Sequence, residues 1–295
     1  MIKLISLDVD GTLLDRKGHL PPENKAALTM ASDQGVHIIL NTGKPLKAVE
    51  YLAEMMNFKH PVIAVGGALI VKKDVGDNWR ILERTPLPEK SLEAFSPILV
   101  DTTLTVILLS TWQTYIYYGD RDVACHSSMV HWLKTNSMED YTTLNRNEFL
   151  NGKGMEMPIL NLALHSEEDG DRELGQVYKN LSAIAKPDIM MDYSNAGTVN
   201  IVPARAGKKT ALEFLCRELG VARHEVMAMG DYDTDLEVVN WAGVGAIMDN
   251  APASVKDRAP MIAPSNDQCG VAKMIEKYVL QKKNLIQDQV VRDQG

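Results

Sequence analysis

Asp8-Val9-Asp10-Gly11-Thr12-Leu13 sets two carboxylates one residue apart, directly after the mostly apolar run Ile2-Lys3-Leu4-Ile5-Ser6-Leu7. A run of that kind reads as a buried strand, and Gly11 breaks the chain sharply behind it. In an open α/β sheet, ligands bind in the crevice past the carboxyl ends of the strands. Carboxylates on that lip can hold a hard divalent cation such as Mg²⁺ and leave one oxygen free to attack. The competing reading is a surface turn rich in Asp and Gly.

Three later segments offer an anion site, a cation and further carboxylates, each at a predicted strand end. Thr42, in Asn41-Thr42-Gly43-Lys44, supplies a hydroxyl and neighbouring backbone N–H groups at a helix N-terminus, a natural anion site. It serves equally well as a cap for the helix that Pro45 starts. Lys208 opens a helix in Gly207-Lys208-Lys209-Thr210 and can neutralise both an anionic substrate and a carboxylate nucleophile, with Lys209 competing for that part. Gly230-Asp231-Tyr232-Asp233-Thr234-Asp235 follows the strand Val226–Met229. Asp231 there can complete a carboxylate cage, and Asp235, one helical turn on, can orient the lysine or a metal-bound water.

The elements that must position these groups alternate. Pro21-Pro22-Glu23 opens a helix that runs to about Gln34 with Gly35 as its stop, Val36–Leu40 is a strand, a helix follows Pro45 to about Asn57, and Val62–Val65 is a strand. Strands separated by such helices imply a parallel, right-handed βαβ sheet. From Pro86 the pattern changes: a helix at Glu89–Phe95, paired strands at Thr103–Ser110 and Thr114–Tyr118, and a hairpin of Ile189–Tyr193 and Thr198–Val202 around Asn195-Ala196-Gly197. That reads as a separate α+β unit with an antiparallel sheet. The α/β alternation returns at Lys208, with a helix at Ala211–Leu219, a strand at Val226–Met229, a helix at Thr234–Trp241 and a strand at Val244–Met248. Residues 1–85 and 204–283 thus form an α/β core, 86–203 an inserted domain, and 284–295 a polar tail.

Composition narrows the classes. The 295 residues carry a net charge of −8, with 45% hydrophobic and 24% charged residues, as a soluble globular protein does. An acidic balance argues against a nucleic-acid surface but not against a small anionic substrate. Cys125, Cys216 and Cys269 have no paired spacing and fit reduced thiols in a cytoplasmic protein. No leader-like segment and no apolar run of membrane-spanning length is expected. No GxxxxGK[ST] loop or GxGxxG occurs. Trp112, Tyr115, Tyr117, Tyr118 and Trp132 offer either an aromatic-lined sugar pocket or ordinary sheet packing. His126 and His131 have the wrong pitch for a helical metal pair, and Met227 and Met229 read as core.

In order, the four segments resemble the motifs of the haloacid dehalogenase (HAD) superfamily of aspartyl-nucleophile phosphatases. The inserted domain, with Asn250-Ala251, Val255-Lys256, Ser265-Asn266-Asp267 and Gly270-Val271-Ala272, is similar to the Cof-type branch with its C2B cap. The resemblance implies a Rossmann-like parallel-sheet core, an α+β cap that closes over the site, and hydrolysis of small phosphate esters, often sugar phosphates. It implies that Asp8 attacks phosphorus and that Asp10 protonates the leaving alkoxide and then activates water. Mg²⁺ would be held by Asp8, the backbone carbonyl of Asp10, and Asp231. Thr42, Gly43 and Lys208 would bind the phosphoryl group, with Asp235, Thr234 and Lys44 supporting them from behind. The implied partner is a small phosphorylated metabolite, with no nucleic acid and no membrane, and the chain is expected to act as a monomer or homodimer.

The chain departs from the branch at several places. Lys44 stands where the branch has Arg, Gly66 where it has Asn, Asn200 where it has Glu, Lys209 where it has Gly and Thr234 where it has Asn. A guanidinium's bidentate grip on phosphate is thereby exchanged for a point charge. Two other readings stay open on this scaffold: a phosphomutase or phosphotransferase using the same aspartyl phosphate, and a non-catalytic ligand-binding regulatory protein.

Overall fold

The computed structural model describes residues 1–119, 141–166, 171–194 and 197–280. Expectations for Cys125, His126, His131, Trp132, Asn195, Ala196 and the 284–295 tail lie outside the described residues. The chain divides into two compact units, the first comprising Met1–Thr42, Phe58–Arg80 and Lys208–Gly295, the second Gly43–Asn57 and Ile81–Gly207.

The first unit is built on β1 (Leu4–Leu7), β2 (His37–Asn41), β3 (Val62–Ala64), β4 (Leu69–Lys73), β12 (Val226–Gly230), β13 (Val244–Met248) and β14 (Ile262–Ala263). With β5 (Trp79–Arg84), which straddles the boundary, they form an eight-stranded sheet in the order β14-β13-β12-β1-β2-β3-β4-β5. β1 and β12 are buried along their whole length, which is why they read as unbroken apolar runs rather than alternating ones. β1 pairs in parallel with β2 on one side and with β12 on the other, so the strand order reverses at β1. The ends of these three strands therefore bound the crevice where α/β sheets bind ligands.

Helices α1 (Pro22–Asp33), α6 (Lys208–Leu219), α7 (Asp233–Trp241), α8 (Ala253–Lys256) and α9 (Gly270–Ile275) complete this unit. α1 has Pro22 in its first turn and stops before Gly35, whose φ of 82° only glycine adopts at little cost. α6 turns Ala211, Leu212, Leu215 and Cys216 inward. α1 packs against α9.

One feature of this unit is absent from the sequence reading, which places nothing between Gly67 and Pro86. There β4 runs antiparallel to β3 and is joined to β5 by a turn in which Asp74 Oδ1 accepts the backbone N–H groups of Gly76 and Asn78.

The second unit contains α2 (Leu46–Met55), α3 (Glu89–Leu99), α4 (Arg146–Leu150) and α5 (Asp171–Ile184) with β6 (Thr105–Ser110), β7 (Thr114–Tyr117), β8 (Tyr141–Leu144), β9 (Ile159–His165), β10 (Ile189–Ser194) and β11 (Thr198–Pro203). Its six-stranded sheet has the order β10-β11-β9-β6-β7-β8. The pairings are antiparallel except at β7–β8, which is parallel. Leu92, Phe95 and Leu99 of α3 and Leu174 and Leu181 of α5 pack on Val106, Leu108, Leu162 and Ile201 of the sheet. α3 extends four residues past the expected Phe95, through Pro97, which loses an N–H only near the helix end.

Candidate active site

The site starts from the carboxyl end of β1. Asp8 follows the strand directly, and its N–H donates to the Met229 carbonyl of β12 at 3.0 Å, which seats it between the two strand ends. The chain then makes one wide turn, closed by the Leu14 N–H on the Val9 carbonyl at 3.0 Å. Gly11 sits in this turn at φ 75°, and a Cβ there would lie 2.2 Å from Oδ2 of Asp231. Glycine is thus required twice over, by the backbone and by the neighbouring carboxylate.

Lys208, the first residue of α6, is only 8% exposed. Its Nζ donates to Oδ1 of Asp8 at 2.6 Å and to Oδ1 of Asp235 at 2.7 Å. Lys209 turns instead to Glu237 at the surface, 3.0 Å away. Asp235, also buried, accepts the backbone N–H groups of Asp231 and Tyr232 on its Oδ2 at 3.2 and 3.1 Å. The first turn of α7 is thereby folded back onto the end of β12. Gly230 permits that approach, because a Cβ there would come within 2.2 Å of the Asp235 Cβ. The Thr12 hydroxyl donates to Oδ1 of Asp231 at 3.3 Å.

Carboxylate oxygens of Asp8, Asp231 and Asp235 lie within 4.8 Å of one another. Burial is the largest influence on Asp8 and pushes its carboxyl up to about 7, with Lys208 pulling the other way and Asp235 and Asp231 adding like charge. Asp231 is raised to about 6, by burial first and the Asp235 charge second. Burial alone would lower the Lys208 ammonium, but the carboxylates of Asp8 and Asp235 outweigh it and hold the ammonium above its usual range. Three acids around one ammonium leave negative charge uncompensated in a low-dielectric place. Such a set of hard oxygens fits a divalent cation.

The other predicted site residues are placed differently. Asp10 is exposed and is not one of the three acids gathered within 4.8 Å, but its charge still reaches Asp231 and helps push that carboxyl up. Thr42 is buried just past β2, its N–H on the Ile63 carbonyl at 2.9 Å and its own carbonyl accepting from Gly66 at 3.0 Å. It is not the cap of the next helix, since Pro45 holds that position before α2. Gly43, exposed, and Lys44, half-buried, belong to the second unit. Thr234 is exposed in the first turn of α7.

Several residues that sequence reasoning left without a role brace the turn after β1. Asn250 donates to the Gly11 carbonyl at 2.8 Å, Asn266 to the Leu14 carbonyl at 2.9 Å, and Asn24 to the Leu13 carbonyl at 3.0 Å. Their only signal in the sequence is the likeness of the strings around Asn250 and Asn266 to the Cof-type branch. Asn41, the last residue of β2, joins Ser6 to the backbone of Lys208.

Within the second unit, Tyr117 is packed inside, stacked on Phe149 with ring centroids 4.4 Å apart, and Tyr118 is buried as well. Trp112 is 45% exposed and lines a cavity of about 150 Å³ with Leu46, Lys47, Glu50, Thr111 and Gln113. Met227 and Met229 are core residues, and Cys216 and Cys269 are free thiols. Among the described residues, no helix is long and apolar enough to cross a membrane.

The reversal of strand order at β1 puts a lysine held between two acids, with a third acid beside them, at the ligand-binding crevice of an α/β sheet. A family model for haloacid dehalogenase-like hydrolases matches residues 5–275, and the chain belongs to that family. It is 28% identical over 283 residues to the 5-amino-6-(5-phospho-D-ribitylamino)uracil phosphatase YcsE of Bacillus subtilis, covering 95% of this chain and 96% of that one. A haloacid dehalogenase-like hydrolase from Bacteroides thetaiotaomicron superposes with a TM-score of 0.78 at 24% identity, over 94% of this chain and 99% of that one. The subclass IIB sugar phosphatase BT4131 superposes with a TM-score of 0.74 at 18% identity, over 94% and 98%. At such identities the superpositions establish the fold.

Proposed function

We propose that this HAD-type hydrolase is a phosphoric monoester hydrolase acting on small phosphorylated metabolites, sugar phosphates or similar compounds, through an aspartyl-phosphate intermediate. The observation that carries the reading is Lys208, buried and shared between Asp8 and Asp235 with Asp231 alongside. In this reading an oxygen of Asp8 attacks phosphorus, the ester P–O bond breaks, and the departing alkoxide takes its proton from Asp10. Asp10 then removes a proton from water, whose oxygen attacks phosphorus; the Asp8–phosphorus bond breaks and inorganic phosphate leaves. The exposure of Asp10 suits a group that must meet both a leaving group and water.

Thr42, Gly43 and Lys208 hold the phosphoryl oxygens, where positioning and charge stabilisation do most of the catalysis. Asp235 keeps the lysine aimed at the nucleophile, and Thr234 and Lys44 act from further out. Asp8, Asp231 and the backbone carbonyl of Asp10 would hold Mg²⁺, which supplies charge neutralisation for the phosphoryl group and its nucleophile. The second unit would play the part of the family's cap and select the leaving group, and the cavity at Trp112 within it has both an apolar plate and polar neighbours to offer a sugar. The names of several relatives, phosphatases of a phosphorylated ribityl compound, support a polyhydroxylated leaving group. We place the protein in the cytoplasm on its cysteine usage.

The test is phosphate release from p-nitrophenyl phosphate with Mg²⁺ and with EDTA. Asp8→Asn should lower turnover by about 10³-fold or more while leaving the far- and near-ultraviolet circular dichroism unchanged. Near-normal turnover in that variant rules out the covalent route, and an inert wild-type protein favours the regulatory reading.

A further inference from the structure

Asn41 ends β2 one residue past Leu40, which pairs with Leu7, so it stands level with Asp8 on the neighbouring parallel strand. Residues two apart on a strand share a face, which puts Ser6 on the same side of the sheet as Asp8. The Asn41 side chain is buried, and its Nδ2 donates both to the Ser6 Oγ at 3.2 Å and to the Lys208 carbonyl at 3.2 Å. No donor among the described residues reaches its Oδ1, so the carboxamide is anchored through the nitrogen alone. The carbonyl acceptor also fixes which end of the amide is nitrogen, because an oxygen facing a carbonyl would repel it.

We infer that Asn41 is a positioning residue for Lys208: one amide group ties the strand that carries the nucleophile to the first residue of α6, and so sets the lysine's reach to Asp8. The inference rests on the phosphatase reading for its kinetic consequences, but its geometry stands apart from them. The chemistry of the residue suits the task. A backbone tether at Lys208 has to donate to a carbonyl, which an apolar side chain cannot do. It also stands level with Asp8, where Asp in place of Asn would add a further negative charge near the nucleophile and remove the donor. The neutral amide meets both demands. Its unmatched Oδ1 costs stability, so the residue is poorly explained as a device for holding the fold.

That asymmetry supplies the experiment. Asn41→Leu keeps the branched outline with somewhat more bulk; it withdraws the donor from the Ser6 hydroxyl and the Lys208 carbonyl but also removes the unmatched Oδ1, so the two effects on stability partly offset. With p-nitrophenyl phosphate and Mg²⁺, kcat should fall about tenfold with KM changed less than about threefold, and inhibition by orthovanadate should weaken by about the same tenfold factor, because a displaced lysine grips the transferring group less well. The unfolding midpoint should move by only a few degrees. Ser6→Ala, which frees the other anchor of the amide, should shift kcat and vanadate inhibition the same way by less; Asn41→Ser serves where the leucine variant does not fold. A readout that needs no activity is the ¹⁵N signal of the Lys208 ammonium, visible because it is buried and ion-paired, which should broaden or vanish in the Asn41 variant. An unchanged ammonium signal, or kcat and vanadate inhibition within twofold of wild type in folded protein, overturns the inference. Wild-type protein that releases no phosphate while the ammonium signal still depends on Asn41 would remove the phosphatase reading and leave the tether standing.

Discussion

Asp8 carries its charge at a cost that a bound cation would offset. Its carboxyl lies near 7 in the folded chain against an ordinary 3.8, so between those values the folded state binds more protons than the unfolded one. The penalty is therefore full above about 7 and disappears as the pH falls toward 3.8. In EDTA, Asp8→Asn should be more stable than wild type by about 1–3 kcal/mol at about pH 8, with the advantage shrinking by about pH 5. Parallel unfolding curves at the two pH values check this, and a variant that is no more stable at the higher pH contradicts it. The residues of this cluster were legible because strand ends announce themselves: Asp8 and Asp231 follow apolar runs, and Lys208 opens a helix. Thr12, Asn41 and Asn24 were not, since a buried hydroxyl or amide takes its meaning from partners 11 to 219 residues distant, which no local pattern encodes.

Between elements, the turn after β1 is held by side chains from three other places, and Asn24 is the most deeply buried of them. Its Nδ2 donates to the Leu13 carbonyl and its Oδ1 accepts from the Ala272 N–H at 3.0 Å, joining α1, the turn and α9. Asn24→Ala leaves two buried backbone groups unmatched and should destabilise the protein by about 2–4 kcal/mol in urea unfolding. It should also lower turnover, because the turn it steadies carries Gly11 and Thr12. A loss under about 0.5 kcal/mol would mean that water replaces the amide without penalty. The strands of the parallel core could be read because burial on both faces makes them continuous apolar runs. The hairpin of β4 and β5 could not: Lys72 and Lys73 end the first strand, and Arg80, Glu83 and Arg84 interrupt the second, as suits strands near a sheet edge. Nor could the parallel pairing of β7 with β8, because alternation reports which face is buried and not which strand lies alongside.

At the scale of the molecule, the loss of stability in acid has a separate source in His60. Burial, first, and then the charges of His37 and Lys72 lower its imidazole from 6.5 to about 4, while its Nε2 meets the Ser32 hydroxyl at 2.9 Å. The unfolded chain then binds more protons than the folded one between those values, so stability falls as the pH drops through that window. For a half-buried ring, screened by solvent, the loss should be about 1–2 kcal/mol. His60→Asn should flatten the decline in unfolding midpoint from about pH 7 to about pH 4, measured beside wild type so that the acids of the active site act equally in both. Equal slopes would assign the decline to other groups. The chain itself passes between the two units four times, after Thr42, Asn57, Arg80 and Gly207, because α2 is grouped with the inserted stretch and not with the strands on either side of it. Any chimera that borrows a relative's selectivity by exchanging 81–207 alone would split the second unit and leave 43–57 packed against foreign sequence. A graft of both segments together is the smallest exchange that keeps each body whole.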